Sequence, residues 1–178
     1  MKTSFLTAIV ICLFSLSVQA QHMHGQPSMP AMKETKKAPS SLTKVLPLYY
    51  DISNALTNAD ADKASSKAFE FVKAINDADM NAFKEKEMEV FMDVQKKLAQ
   101  DGRKLVETKD IEKQRNAFVD LSAHMTELIK GVTVTFDPVY EITCPMKKAS
   151  WLSSEAAVKN PYFGKQMLSC GKVTGKIN

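Results

Sequence analysis

Sulfur is the chemistry that stands out in this chain. Cys144-Pro145-Met146 sets a thiol and a thioether two residues apart, and Met167-Leu168-Ser169-Cys170-Gly171 repeats the pair three residues apart in reverse order. If the fold brings the two runs together, they supply two thiolates and two thioethers. Such a soft donor set favours Cu(I) or Ag(I) over zinc, calcium or magnesium. Neither run is the Cys-x-x-Cys of a structural zinc site. Trp151, the only tryptophan, lies between them and can cover a cation with its ring face. A second reading of the same residues is a Cys144–Cys170 disulfide packed by Met146, Met167 and Trp151. That bridge would close a loop of about 27 residues and stabilise by roughly 3 kcal/mol. Both readings need the sulfurs close in space, and the residues alone leave both open.

A second group of soft donors lies near the start. His22, Met23, His24, Met29 and Met32 fall within eleven residues. Imidazole and thioether suit copper and silver, so this stretch is an accessory, low-affinity collector in the metal reading. Other chemistry is sparse. There is no Gly-x-Ser-x-Gly elbow, phosphate loop or His-Glu-x-x-His. His124 is the one histidine outside the tail, which leaves little for a Cys/His nucleophile. Vicinal Cys-x-x-Cys, expected of a disulfide oxidoreductase, is also missing. No enzymatic activity is expected.

The elements that must position these groups follow from the rest of the chain. It has 178 residues, 44% hydrophobic and 25% charged, which suits one domain with a short tail. The net charge of +4 is small and the charges are interleaved, so nucleic-acid binding is not expected. Lys2, an apolar run from Phe5 to Leu16 and Val18-Gln19-Ala20 predict a signal peptide over 1–20, cleaved after Ala20. Export to the periplasm follows if the cell is Gram-negative. No later run is long enough to insert in a membrane. Residues 21–40, with three prolines and no apolar period, read as a disordered tail that carries the Met/His group.

Residues 41–178 form the folded domain. Apolar residues recur at helical spacing in four segments. Leu42, Val45, Leu46, Tyr49, Ile52 and Leu56 share one face of a helix starting near Val45. Asp60 is the expected cap of a second helix, Asp79 of a third broken by Gly102, and Thr108 of a fourth ending at Gly131. The expected fold is mostly α, an antiparallel four-helix bundle. Met88 and Met92 are one turn apart in the third helix and could form a ligand pair, but they read first as filling core gaps or lying on a mixed face. After Gly131 the period becomes two, at Val132, Val134 and Phe136 and at Tyr140, Ile142 and Cys144, with Val173 and Ile177 as a partner strand. A short helical stretch is expected near 153–159 and a turn at 160–164. These predict a small C-terminal β/loop cap over about 132–178.

The ordered run Cys144-Pro145-Met146, Trp151-Leu152-Ser153, Asn160-Pro161-Tyr162-Phe163-Gly164 and Met167-Leu168-x-Cys170-Gly171 resembles the domain-of-unknown-function family 3347. So do Tyr49-Tyr50-x-Ile52-x-x-Ala55-Leu56 and Arg115-x-x-Phe118-x-x-Leu121-Ser122, so the resemblance spans about residues 42–177. It implies an exported helical domain of a kind also found fused to periplasmic adaptor subunits of heavy-metal efflux pumps. There a segment with a similar Cys-Pro-Met core accompanies it. The resemblance thus implies a role near copper or silver handling, with Cys144, Met146, Met167 and Cys170 as ligands and a heavy-metal efflux pump or adaptor subunit as partner. With no adaptor segment or transporter region, the chain would work free, as carrier, buffer or pump accessory. The alternative function is a non-catalytic interaction domain stapled by a Cys144–Cys170 disulfide. It would dock on a pump or envelope partner through Trp151, Tyr162 and Phe163.

Overall fold

The structure is a computed structural model that describes residues 42–178. The expected signal peptide and the Met/His group at His22, Met23, His24, Met29 and Met32 lie outside the described residues. Four helices come first: α1 (Val45–Thr57), α2 (Ala61–Asn76), α3 (Glu85–Val106) and α4 (Ile111–Gly131). Three strands follow: β1 (Val139–Cys144), β2 (Ala149–Ser153) and β3 (Lys172–Ile177). No described helix is long and apolar enough to cross a membrane.

The helices form where the apolar period places them. Leu42, Val45, Leu46, Tyr49, Ile52 and Leu56 are all buried. Pro47 falls in the first turn of α1, where its missing N–H costs no helical bond. Asp60 caps α2 by accepting from the Lys63 N–H. Each helix packs on the next in sequence, and α4 also meets β2.

Three helix boundaries differ from expectation. Asp79 caps only a 3-10 turn, Met80–Ala82, through the Asn81 N–H. The third helix starts at Glu85, where Glu87 accepts from the N–H of Lys84 and, across the fold, from that of Thr133. Asp110, not Thr108, caps α4 by accepting from the N–H groups of Glu112 and Lys113. Thr108 instead accepts from the Asp110 N–H. Gly102 does not break α3 but sits buried inside it. A Cβ there would lie 2.5 Å from Cγ2 of Val72, so the glycine lets α2 and α3 approach closely.

The C-terminal part is a three-stranded antiparallel sheet in the order β2–β1–β3, where a looser mix of strand and loop is expected. Thr143 of β1 stands opposite Ser150 of β2 and Lys172 of β3. Residues 132–138 are not a strand despite their alternation. The Thr133 N–H goes to Glu87, the Asp137 N–H goes to the Thr135 hydroxyl, and Pro138 has none to give, so these donors are unavailable to a ladder. The expected helix near 153–159 is also absent. Residues 154–157 are all exposed, so a helix there would have no face to bury. β2 was not expected from its sequence. Its hairpin with β1 turns through Lys148 at φ 54°, a position usually filled by Gly or Asn.

Two polar clasps tie the C-terminal part and the helices together. Tyr49 of α1 stacks on Phe118 of α4 with centroids 5.1 Å apart. Its hydroxyl bonds Ser122 of α4 at 2.8 Å and accepts the Leu152 N–H of β2 at 3.1 Å. The second clasp joins helix to helix and to the turn before β3 instead: the Arg115 guanidinium of α4 donates to the Leu56 carbonyl of α1 at 3.0 Å. It also lies against Gly164, where a Cβ would meet Nη2 at 2.4 Å and the Thr57 carbonyl at 2.8 Å. With φ at +56°, Gly164 needs to be glycine on both counts.

Candidate functional site

Cys144 is the last residue of β1 and Cys170 the second before β3, so the β1–β3 pairing carries both thiols to one end of the sheet. Both are free. Their sulfurs are 3.7 Å apart, well beyond the roughly 2.05 Å of a disulfide. Two sulfurs at that separation, each about 2.3 Å from one ion, subtend roughly 107° at it. The separation is thus compatible with both sulfurs reaching one ion.

The two thiols differ in surroundings. Cys144 is fully buried and Cys170 half-buried. Burial alone would raise the Cys144 pKa. It is outweighed by donors aimed at the sulfur, namely the Lys147 N–H (3.4 Å), the Asn160 amide (3.2 Å), the Cys170 thiol and the Met146 N–H, so the thiol is held below its ordinary value. Cys170 shifts upward, from burial first, then from its hydrogen bond to Cys144 and from the charge of a Cys144 thiolate. The first proton to leave the pair leaves its negative charge on the buried Cys144 sulfur.

The methionines are reached by chain connection. Met146 sits in the hairpin turn with its side chain 65% exposed. Met167 ends a 3-10 turn, Gly164–Met167, is half-buried, and accepts the Cys170 N–H on its carbonyl at 3.0 Å. Among the described residues no three His, Cys, Asp or Glu side chains come together as a metal site.

Trp151 and Tyr162 are each 1% exposed. They meet edge-on at 5.8 Å, and the Tyr162 hydroxyl donates to the Ser150 carbonyl at 2.6 Å. They are packing beneath the site and offer no docking surface. Phe163 is half-buried. Gly171 makes room for the indole, since a Cβ there would lie 2.8 Å from Cη2 of Trp151. His124 bonds Asp101 at 2.7 Å, tying α4 to α3 away from the cysteines. Met92 is 62% exposed and Met88 half-buried, which places them on a mixed face, whereas Met125 is fully buried.

Asn160 is the organising residue that sequence reasoning placed only in a turn. It is fully buried. Its amide donates to Cys144 Sγ and to the Cys170 carbonyl at 2.6 Å, and its carbonyl oxygen accepts the N–H groups of Tyr162 (2.8 Å) and Phe163 (3.3 Å). The available signal was the Asn-Pro pair, because an Asn side chain that caps its own turn has an amide left to donate.

A family model described as a protein of unknown function (DUF3347) matches residues 45–136, more than half of the chain. The chain belongs to this family. No curated protein and no solved structure matches it. Within this DUF3347 member the matched stretch covers the four helices and stops before β1, so Cys144, Met146, Met167 and Cys170 all lie beyond it. The match is narrower than the resemblance read from the sequence, and it describes the helical scaffold rather than the sulfur-bearing sheet.

Proposed function

We propose that this protein is a non-enzymatic, exported soft-metal carrier that takes Cu(I) or Ag(I) in the periplasm and works beside heavy-metal efflux. The single observation that carries the reading is the pair of free thiols 3.7 Å apart at the end of the sheet. Cys144 and Cys170 are the thiolate ligands, Met146 and Met167 the thioethers, and His22, Met23, His24, Met29 and Met32 an accessory collector. A buried thiol held below its ordinary pKa by N–H donors gives up its proton to an incoming ion more readily than a free one. The scaffold that goes with this reading is an antiparallel four-helix bundle. An efflux pump or its adaptor subunit is the partner that would receive the ion. The interaction-domain reading has less support, because Trp151 and Tyr162 are buried.

Anaerobic Cu(I) titration of the reduced chain against a chromophoric competitor tests the proposal. Tight, stoichiometric binding should disappear in the Cys144→Ser/Cys170→Ser double variant. Equal affinity in the double variant would overturn it.

A further inference from the structure

We propose that the cysteine pair is also a reversible dithiol–disulfide centre, in which Cys170 is the entry thiol and Cys144 the resolving thiol for small disulfides. Accessibility sets the order. Cys144 is fully buried behind its hairpin turn, whereas Cys170 is half-buried on the short link between the Gly164–Met167 turn and β3. A small disulfide can therefore reach Cys170 Sγ and not Cys144 Sγ.

Distance sets the second step. Cys144 Sγ lies 3.7 Å from Cys170 Sγ, so a resolving nucleophile is in place as soon as a mixed disulfide forms. Closing the bridge needs an approach of roughly 1.7 Å to reach disulfide length. Cys144 is held in the ladder opposite Ala149 and its sulfur by N–H donors from Lys147 and Asn160, whereas the Cys170 backbone is held but its less buried side chain can rotate to close the gap.

The exchange balances. Cys170 Sγ attacks one sulfur of the small disulfide as its proton passes to Cys144 Sγ, 3.7 Å away. That S–S bond breaks, a mixed disulfide forms, and the small thiolate leaves and takes up the proton Cys170 gave up, which restores the Cys144 thiolate. Cys144 thiolate then attacks Cys170 Sγ, the mixed disulfide breaks, and the second small thiol leaves with the proton Cys144 gave up at the start. Two protein thiols and one small disulfide become one protein disulfide and two small thiols. Two electrons pass from the protein to the small disulfide. The exchange needs no metal. Only its consequence, release of a bound soft ion when both thiolates are consumed, rests on the carrier reading.

The test uses the full metal-free reduced chain and oxidised glutathione as probe, read by intact mass. Wild type should become two hydrogens lighter without accumulating an adduct. Cys144→Ser should accumulate one glutathionyl adduct, and Cys170→Ser should react roughly tenfold more slowly or less. Brief exposure of wild type, acid quench and peptide mapping should find the first adduct on Cys170, a readout that holds even if a variant fails to fold. A first adduct on Cys144, or no internal disulfide in wild type, overturns the proposal. The two readings fail separately: Cu(I) binding without exchange removes this one alone, and exchange without Cu(I) binding removes the carrier alone.

Discussion

Replacing Asn160 with alanine removes the one side chain that joins the cysteine pair to the turn beside it. Four contacts go at once: two amide donations, to Cys144 Sγ and the Cys170 carbonyl, and two acceptances, from the Tyr162 and Phe163 N–H groups. The Tyr162 N–H contact is buried and the Phe163 N–H and Cys170 carbonyl contacts partly so. A buried polar group left unpaired costs about 1–3 kcal/mol and a partly wetted one less. Together these give about 3 kcal/mol of lost stability. For a domain of this size that corresponds to a fall in Tm of about 10 °C. Urea denaturation followed by Trp151 fluorescence and circular dichroism measures it. Losing the Asn160 donor also moves the Cys144 pKa upward, readable as ultraviolet thiolate absorbance against pH. Asn160→Asp keeps the acceptor for Tyr162 and Phe163 but sets a buried carboxylate oxygen against Cys144 Sγ and the Cys170 carbonyl, so it should destabilise at least as much as alanine while raising the Cys144 pKa further. Stability of Asn160→Ala within about 1 kcal/mol of wild type, with an unmoved thiol titration, would refute the reasoning.

Three other outcomes follow from the packing and the buried hydroxyls. Gly102→Ala should destabilise by about 1–3 kcal/mol despite alanine's better helix propensity, because the new methyl meets Val72; equilibrium denaturation checks it. Tyr49→Phe should cost about 2 kcal/mol by the same assay, since the buried Leu152 N–H loses its acceptor. Burial raises the pKa of both Tyr49 and Tyr162. Their protonated native form therefore stabilises the fold below about pH 10, the ordinary tyrosine range, and that contribution is lost as pH rises above it, by up to about 1.4 kcal/mol per pH unit for each residue. Tyrosinate absorbance should appear together with the loss of circular dichroism; tyrosinate forming first near its ordinary pH in the intact fold would contradict this.

The helices were legible because their signals are local. Spacing alone placed Leu42 to Leu56 inward, and Asp60 and Gly131 marked real ends. Errors came where a partner distant in sequence decides. Gly102 reads as a breaker until Val72 of the neighbouring helix is known to need the room. Val132 to Phe136 alternates like a strand, yet Glu87 takes one of its donors. At the site, residue types nominated Cys144 and Cys170, and the structure brings them together. Burial of Trp151 and Tyr162 and the centrality of Asn160 were hidden, because each depends on how the 160–164 turn folds under the sheet.

The Tyr49–Leu152 clasp also bears on when the site comes into being. It joins residues 103 apart in sequence, whereas each helix packs on its immediate neighbour. Loop-closure entropy favours the near contacts first, so the sheet is the part that docks late. An ion offered to the unfolded chain meets two independent thiols 26 residues apart, each a weak monodentate ligand. Only the finished fold presents them as a chelate. On the proposed carrier reading, affinity for the ion and stability of the sheet become one linked quantity: what loosens the clasp would weaken the grip on the metal, and a bound metal would tighten the clasp.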